Sequence, residues 1–196
     1  MIDVSRLPPR AMLDTNVLIF ALGQHQNKPE IAACRELWDA LVVRSRDIFI
    51  AAPTLAEFIR GNPTVPVPMV KGVQIVSFDR QAAHLLGTAL PATVIKQVAD
   101  ATGAKKNFLK YDALILACAA RWQVDCLVSF DTDMQSLRAQ DQTGALRRLQ
   151  VVNPFFFQLP PVAPQPLPPV APQPLPPVAP QPFQPVAPQP FQPGTQ

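Results

Sequence analysis

Residues 11–20 read AMLDTNVLIF: three apolar residues, the polar triplet Asp14-Thr15-Asn16, then four more apolar residues. So short an apolar run, stopped by a polar triplet, predicts a buried strand that ends at Leu13 and a helix that starts near Val17. The same design returns at residues 126–130, CLVSF, which lead straight into Asp131. Between them, Ile31, Cys34, Leu37, Trp38, Leu41 and Val42 form a helical stripe over residues 29–46, with Pro29 suited to the first turn. Residues 47–51 (DIFIA) predict a second strand, and Pro53 opens a helix carrying Leu55, Glu57, Phe58 and Ile59 until Gly61. Three prolines keep residues 62–68 extended. A strand at 73–78 follows, then helices at 80–87 (capped by Asp79) and 91–101. The strongest helical pattern covers 106–123, with Tyr111, Leu114, Ile115, Cys118 and Trp122 on one face. After the strand at 126–130 come a helix at 132–139 and a last strand at 149–152. Strands alternating with helices predict an α/β domain: three layers, a mainly parallel central sheet flanked by helices. Ligands of such sheets bind beyond the carboxyl ends of the strands, where Asp14 and Asp131 are expected.

Composition divides the 196-residue chain in two. Most of the 25 prolines lie beyond Asn153, in a stretch without a single charged residue. There LPPVAPQP occurs at 159–166, 167–174 and 175–182 before degenerating. Proline at that density excludes helix and sheet, so residues 154–196 are expected to be a disordered tail of polyproline II character. The tail reads either as a ligand for an aromatic-lined groove or as a spacer lengthened by duplication. Residues 1–153 are long enough to bury a core without disulfides or a structural metal. Cys34, Cys118 and Cys126, odd in number and set among apolar neighbours, read as buried free thiols. His25 and His84 stand alone. Without an apolar leader or a span of about 18 apolar residues, the chain reads as cytoplasmic, with no membrane partner. The formal net charge of +3 does not by itself mark a nucleic-acid binder. Arg44 with Arg46, Lys105 with Lys106 and Lys110, and Arg147 with Arg148 form local basic clusters, each of which also suits a solvated face.

The acids are more informative. Asp14, Glu57, Asp112 and Asp131 each interrupt an apolar segment, and no lysine or arginine stands within the same short motif. An ionised carboxylate is expensive to bury unless it is paired, hydrogen-bonded or metal-bound. Singly, each has a plain alternative: Asp14 could satisfy a turn, and Asp112 and Asp131 could cap helices. Jointly they would repel, two carboxylates about 4 Å apart by about 4 kcal/mol at an effective dielectric of 20, unless a cation enters. Oxygen ligands without matched histidines suit Mg²⁺ or Mn²⁺ and argue against zinc. A metal so held can activate water against a phosphodiester, with basic residues around the rim holding flanking phosphates.

These motifs also carry a family resemblance. LDTNVLI at 13–19, Glu57 after the second strand, YDALILACA at 111–119 and SFDTDM at 129–134 resemble, in that order, the PIN domain. The resemblance spans residues 12–152. It implies a metal-dependent ribonuclease in which Asp14, Glu57, Asp112 and Asp131 hold Mg²⁺ or Mn²⁺, with Asp14 and Asp112 the principal ligands. It further implies that Asn16 supports Asp14, and that Ser129 and Asp133 belong to the closing motif. Met134 replaces the usual aromatic at a packing position.

The commonest small single-domain form of this family is the toxin of a VapBC-type toxin–antitoxin pair. Its antitoxin blocks the acidic pocket, often with an arginine, and such toxins commonly form homodimers. Two alternatives remain from the sequence: a housekeeping RNA-processing nuclease, and a non-catalytic PIN-like module that docks through its proline-rich tail. The four costly acids argue against the latter. A haloacid-dehalogenase-like phosphatase would need an aspartate where Asn16 stands. No Ser, His and acid set and no glycine-rich phosphate loop is visible.

Overall fold

Five short strands lie side by side in the order β3-β2-β1-β4-β5, and every neighbouring pair is parallel. They are β1 (Arg10–Leu13), β2 (Asp47–Ala51), β3 (Val73–Val76), β4 (Cys126–Val128) and β5 (Gln150–Val152). This computed structural model describes residues 1–23 and 28–160. The expectations for His25 and for the proline repeats from residue 161 onward lie outside the described residues.

Because successive strand side chains point to opposite faces, each apolar strand feeds two cores. Met12, Phe49, Ala51, Val76 and Leu127 pack under α4 (Arg80–Ala89), α5 (Ala92–Thr102), α6 (Lys106–Arg121) and α7 (Thr132–Ala139). Ala11, Leu13, Ile48, Ile50, Cys126 and Val128 face α1 (Thr15–Leu22), α2 (Pro29–Val43) and α3 (Ala52–Gly61). The expected three-layer architecture therefore holds, with the sheet wholly parallel. Met134 is fully buried, and the three cysteines are buried free thiols. Trp38 is buried as well, whereas Trp122 is half-buried and donates its indole N–H to the Ser77 carbonyl at 3.3 Å. Among the described residues, no helix is long and apolar enough to cross a membrane.

The strand order positions the site. From β1 the chain builds outward through β2 to β3, then returns to the other side of β1 to place β4 and β5. Between β1 and β4 the winding reverses, and in parallel sheets that reversal opens a crevice at the carboxyl ends. The two strand ends there are joined directly, since the Asp14 amide donates to the Val128 carbonyl at 3.0 Å. β4 ends at Val128, two residues short of expectation, because Ser129 and Phe130 turn away to lead into Asp131.

The folded unit also continues past the boundary expected at Asn153. The Asn153 side chain accepts from the Phe155 amide at 2.8 Å and caps a 3-10 turn, Pro154–Phe157. Phe157 is 1% exposed within the second core, and Ile2 pairs antiparallel with Gln158. The compact unit runs from Met1 to Pro160. A phenylalanine that finds a pocket, together with backbone pairing to the N-terminal segment, offsets the entropy of ordering these residues. Phe157→Ala should lower the unfolding free energy by about 3–5 kcal/mol. Phe155→Ala, at a position 38% exposed, should cost far less, with urea denaturation of the two variants as the check.

Candidate active site

Asp14 is the first residue beyond β1 and caps α1 from an extended conformation. Its side chain is buried, 4% exposed, and fully engaged. Oδ1 accepts the Thr15 amide at 2.7 Å and Oδ2 accepts the Ser129 hydroxyl at 2.8 Å. Even so, burial outweighs these bonds and pushes its pKa up to about 6, with Asp131 and Glu57 adding to the rise.

Ser129 and Thr15 extend the arrangement to the other acids. The Ser129 hydroxyl oxygen accepts the Asp131 amide at 2.9 Å, while Asp131 caps α7 by accepting the Asp133 amide at 2.7 Å. The Thr15 hydroxyl donates to Glu57 Oε2 at 2.8 Å, tying the second turn of α3 to the end of β1. Asp112 differs from Asp14, Glu57 and Asp131. It lies within α6 rather than at its cap, and among the described residues its side chain, like that of Asp133, has no hydrogen bond or ion pair. Burial first, and then repulsion from Asp131, Asp14, Asp133 and Glu57, together raise its pKa to about 8.

All five acids line one cavity of about 550 Å³, together with Asn16, and among the described residues only Arg60 and Lys105 bring positive charge to its wall. Such a wall repels itself and any phosphate until positive charge is added. The donor set is oxygen only. Among the described residues, no group of three His, Cys, Asp or Glu side chains is gathered closely enough to hold a metal ion. An oxygen-only donor set is compatible with a hard divalent cation that keeps several of its own waters and needs only one or two carboxylates. The unpaired, half-buried Asp112 and the like-charged wall around it fit a hydrated divalent cation.

The structure thus brings Asp14, Glu57, Asp112, Asp131, Asp133 and Asn16 to one cavity, with Ser129 behind them. The support of Asp14 differs from expectation. It comes from Thr15 and Ser129, because α1 begins at Thr15 and turns that amide and hydroxyl back toward the strand end. Asn16, one helical step further round, is exposed and lines the cavity instead. Tyr111, assigned from the sequence to the apolar face of its helix, is 52% exposed on the cavity wall, and Phe108 is 63% exposed one turn before it. Phe108 carried a signal in its spacing of four residues from Asp112, since residues three and four apart share a helix face; Tyr111, next to Asp112, did not. Arg60 carried the same signal, three residues after Glu57 on α3, and it was missed; Thr15 had none.

The PIN domain family matches residues 11–140 of the chain. No curated protein matches its sequence. Among solved structures, it is similar to VapBC2 from Rickettsia felis bound to a DNA fragment from their promoter, at 17% identity and a TM-score of 0.47, covering 73% of this chain and 97% of the other. It is similar also to DNA-bound VapBC from Salmonella typhimurium, at 19% identity and a TM-score of 0.47, covering 74% and 98%.

The raised acid pKa values set a pH dependence. Asp14 and Asp112 hold protons in the folded protein that the unfolded chain, with the ordinary value of 3.8, has already lost. Their contribution to stability is therefore complete below about pH 4 and gone by about pH 8. With EDTA present, the unfolding free energy should fall by roughly 5 kcal/mol between about pH 5 and pH 8.5, about 4 of it from Asp112. Asp112→Asn should remove most of that fall. An unchanged fall in the variant would show that Asp112 is not the group responsible.

Proposed function

The chain belongs to the PIN domain family, and from that premise we propose that it is a Mg²⁺- or Mn²⁺-dependent endoribonuclease that hydrolyses RNA phosphodiester bonds. The observation that carries the reading is the cavity at the reversal between β1 and β4, walled by five carboxylates of which Asp112 and Asp133 have no side-chain partner among the described residues. A wall of that charge suits a cation, and once bound the cation supplies an activated water and neutralises charge on the phosphate.

Asp14 and Asp112 are the principal ligands in this reading, with Glu57 and Asp131 completing the pocket. Thr15 and Ser129 act as positioning residues: the first orients Asp14 toward Glu57, and the second holds Asp14 against the start of α7. Asp112 must give up its proton to ligate. Arg60 and Lys105, at the same cavity, are placed to meet phosphates flanking the scissile bond. Residues 1–160 form the nuclease domain in this reading, and the proline-rich segment is an appendage to it.

We place the chain among the toxins of toxin–antitoxin pairs. An antitoxin that presents a guanidinium to this cavity would satisfy the same excess of negative charge that draws a cation, and would displace the cation in doing so. A non-catalytic role is disfavoured, since Asp112 costs stability near neutral pH and returns nothing without a ligand.

Incubation of a mixed-sequence RNA with the purified full chain tests the proposal. Cleavage should require Mn²⁺ or Mg²⁺, stop in EDTA, and fall by at least about a hundredfold in Asp112→Asn, in line with losing an electrostatic contributor of a few kcal/mol. Thr15→Val should give a smaller loss, because it frees Glu57 without removing a carboxylate. Cleavage by Asp112→Asn at the wild-type rate would refute the assignment.

A further inference from the structure

The opposite end of the sheet carries the opposite charge. A second cavity, about 840 Å³, is lined by Arg10, Asp125, Arg147 and Arg148, together with Ala119 and Ala120 of α6. Arg10 opens β1, Asp125 precedes β4, and the two other arginines lie just before β5, so the cavity sits at the amino ends of the strands. Three guanidinium groups share it with one carboxylate.

Arg10 is fixed in place. Its Nη2 donates to the Trp122 carbonyl at 2.7 Å, and its guanidinium carbon lies 5.0 Å from the centre of the Phe49 ring. Asp125 is anchored through its backbone, donating to the Arg10 carbonyl at 3.1 Å and accepting from the Gln150 amide at 3.0 Å. Among the described residues, none of the three arginines is in an ion pair, and the side chains of Arg147 and Arg148 make no hydrogen bond. Their backbone is set by a turn in which the Arg147 amide donates to the Gly144 carbonyl at 3.1 Å, with Gly144 at φ 76°. Neighbouring guanidinium forks left without carboxylates match the geometry and charge of phosphate oxygens.

One element joins this cavity to the acidic one. α6 contributes Tyr111 and Asp112 to the first and Ala119 and Ala120 to the second, about 12 Å apart along its axis. A strand only a few nucleotides longer than the segment in the acidic cavity spans that distance.

We propose that the Arg10–Arg147–Arg148 cavity is a second phosphate-binding site, which holds the backbone of a single RNA strand away from the acidic cavity. The identity of the polyanion rests on the nuclease reading; the site's preference for phosphate rests on its own residues.

The test is binding of a fluorescent single-stranded RNA of about 30 nucleotides to the full chain in EDTA, across a salt titration, beside the double variant Arg147→Gln/Arg148→Gln. Loss of two phosphate contacts should lower the affinity at least about threefold at moderate salt and make the slope of log K against log salt shallower by about 1.4. Cleavage of a short RNA confined to the acidic cavity should stay at the wild-type rate, and the thermal midpoint should not move. Equal affinity and slope in the two proteins would overturn the proposal, as would absence of RNA binding by the wild type. ATP binding lost in the variant while RNA binding is retained would assign the cavity to free nucleotides and overturn it too. If the variant shows the expected slope but no metal supports cleavage by the wild type, the nuclease reading falls and the phosphate site stands.

Discussion

Burial of carboxylates beside one another, desolvation first and mutual repulsion second, governs this molecule. Four segments far apart in the chain deliver acids to one cavity, where Asp112 is held near a pKa of about 8 and Asp14 near about 6. A fold optimised for stability alone would not place Asp112 there, since near neutral pH the arrangement opposes folding. The rest of the structure bears that load. β1 and β4 are joined where the acids emerge, and two buried cores fix the strands that carry them.

Two small hydroxyl residues turn the topology into a defined site. The reversal of winding between β1 and β4 brings the neighbourhood together, but backbone alone would leave each carboxylate free to rotate outward. Thr15 joins Asp14 and Glu57, and Ser129 joins Asp14 to the start of α7, so three elements share one hydrogen-bonded chain. The side chains of Asp112 and Asp133 stand outside that chain. The division is chemically sensible: the bonded acids define the cavity, and the unbonded ones are available to what enters it.

Most of this was legible in the sequence, for an identifiable reason. Parallel strands buried on both faces read as short apolar runs, so DIFIA and CLV announce themselves, and an acid directly after such a run is conspicuous. Asp14 and Asp131 stood out that way, Glu57 and Asp112 as acids inside apolar helical segments, and the resemblance of the ordered motifs to one family singled out all four. Hydrogen-bond partners were harder. Nothing in DTN distinguishes a threonine that faces the strand end from an asparagine that faces solvent until the first residue of α1 is known, and so the support of Asp14 was assigned to Asn16. Tyr111 was misplaced because an aromatic at helical spacing looks like core, and only the packing of α6 shows that its side chain lies outside. The end of the folded unit was set too early for a similar reason. FFF followed by proline repeats resembles the start of a tail, yet Phe157 fits a pocket that neighbouring sequence does not reveal.

Measuring proton release on metal binding goes most directly to the central claim that these carboxylates form a cation site. Mn²⁺ should bind the full chain in calorimetry performed in buffers of differing ionisation enthalpy. At about pH 7, binding should expel close to one proton, the one that Asp112 holds in the free protein, and in Asp112→Asn that release should vanish. Failure of Mn²⁺ and Mg²⁺ to bind at millimolar concentration, or binding with no proton released, would contradict the account.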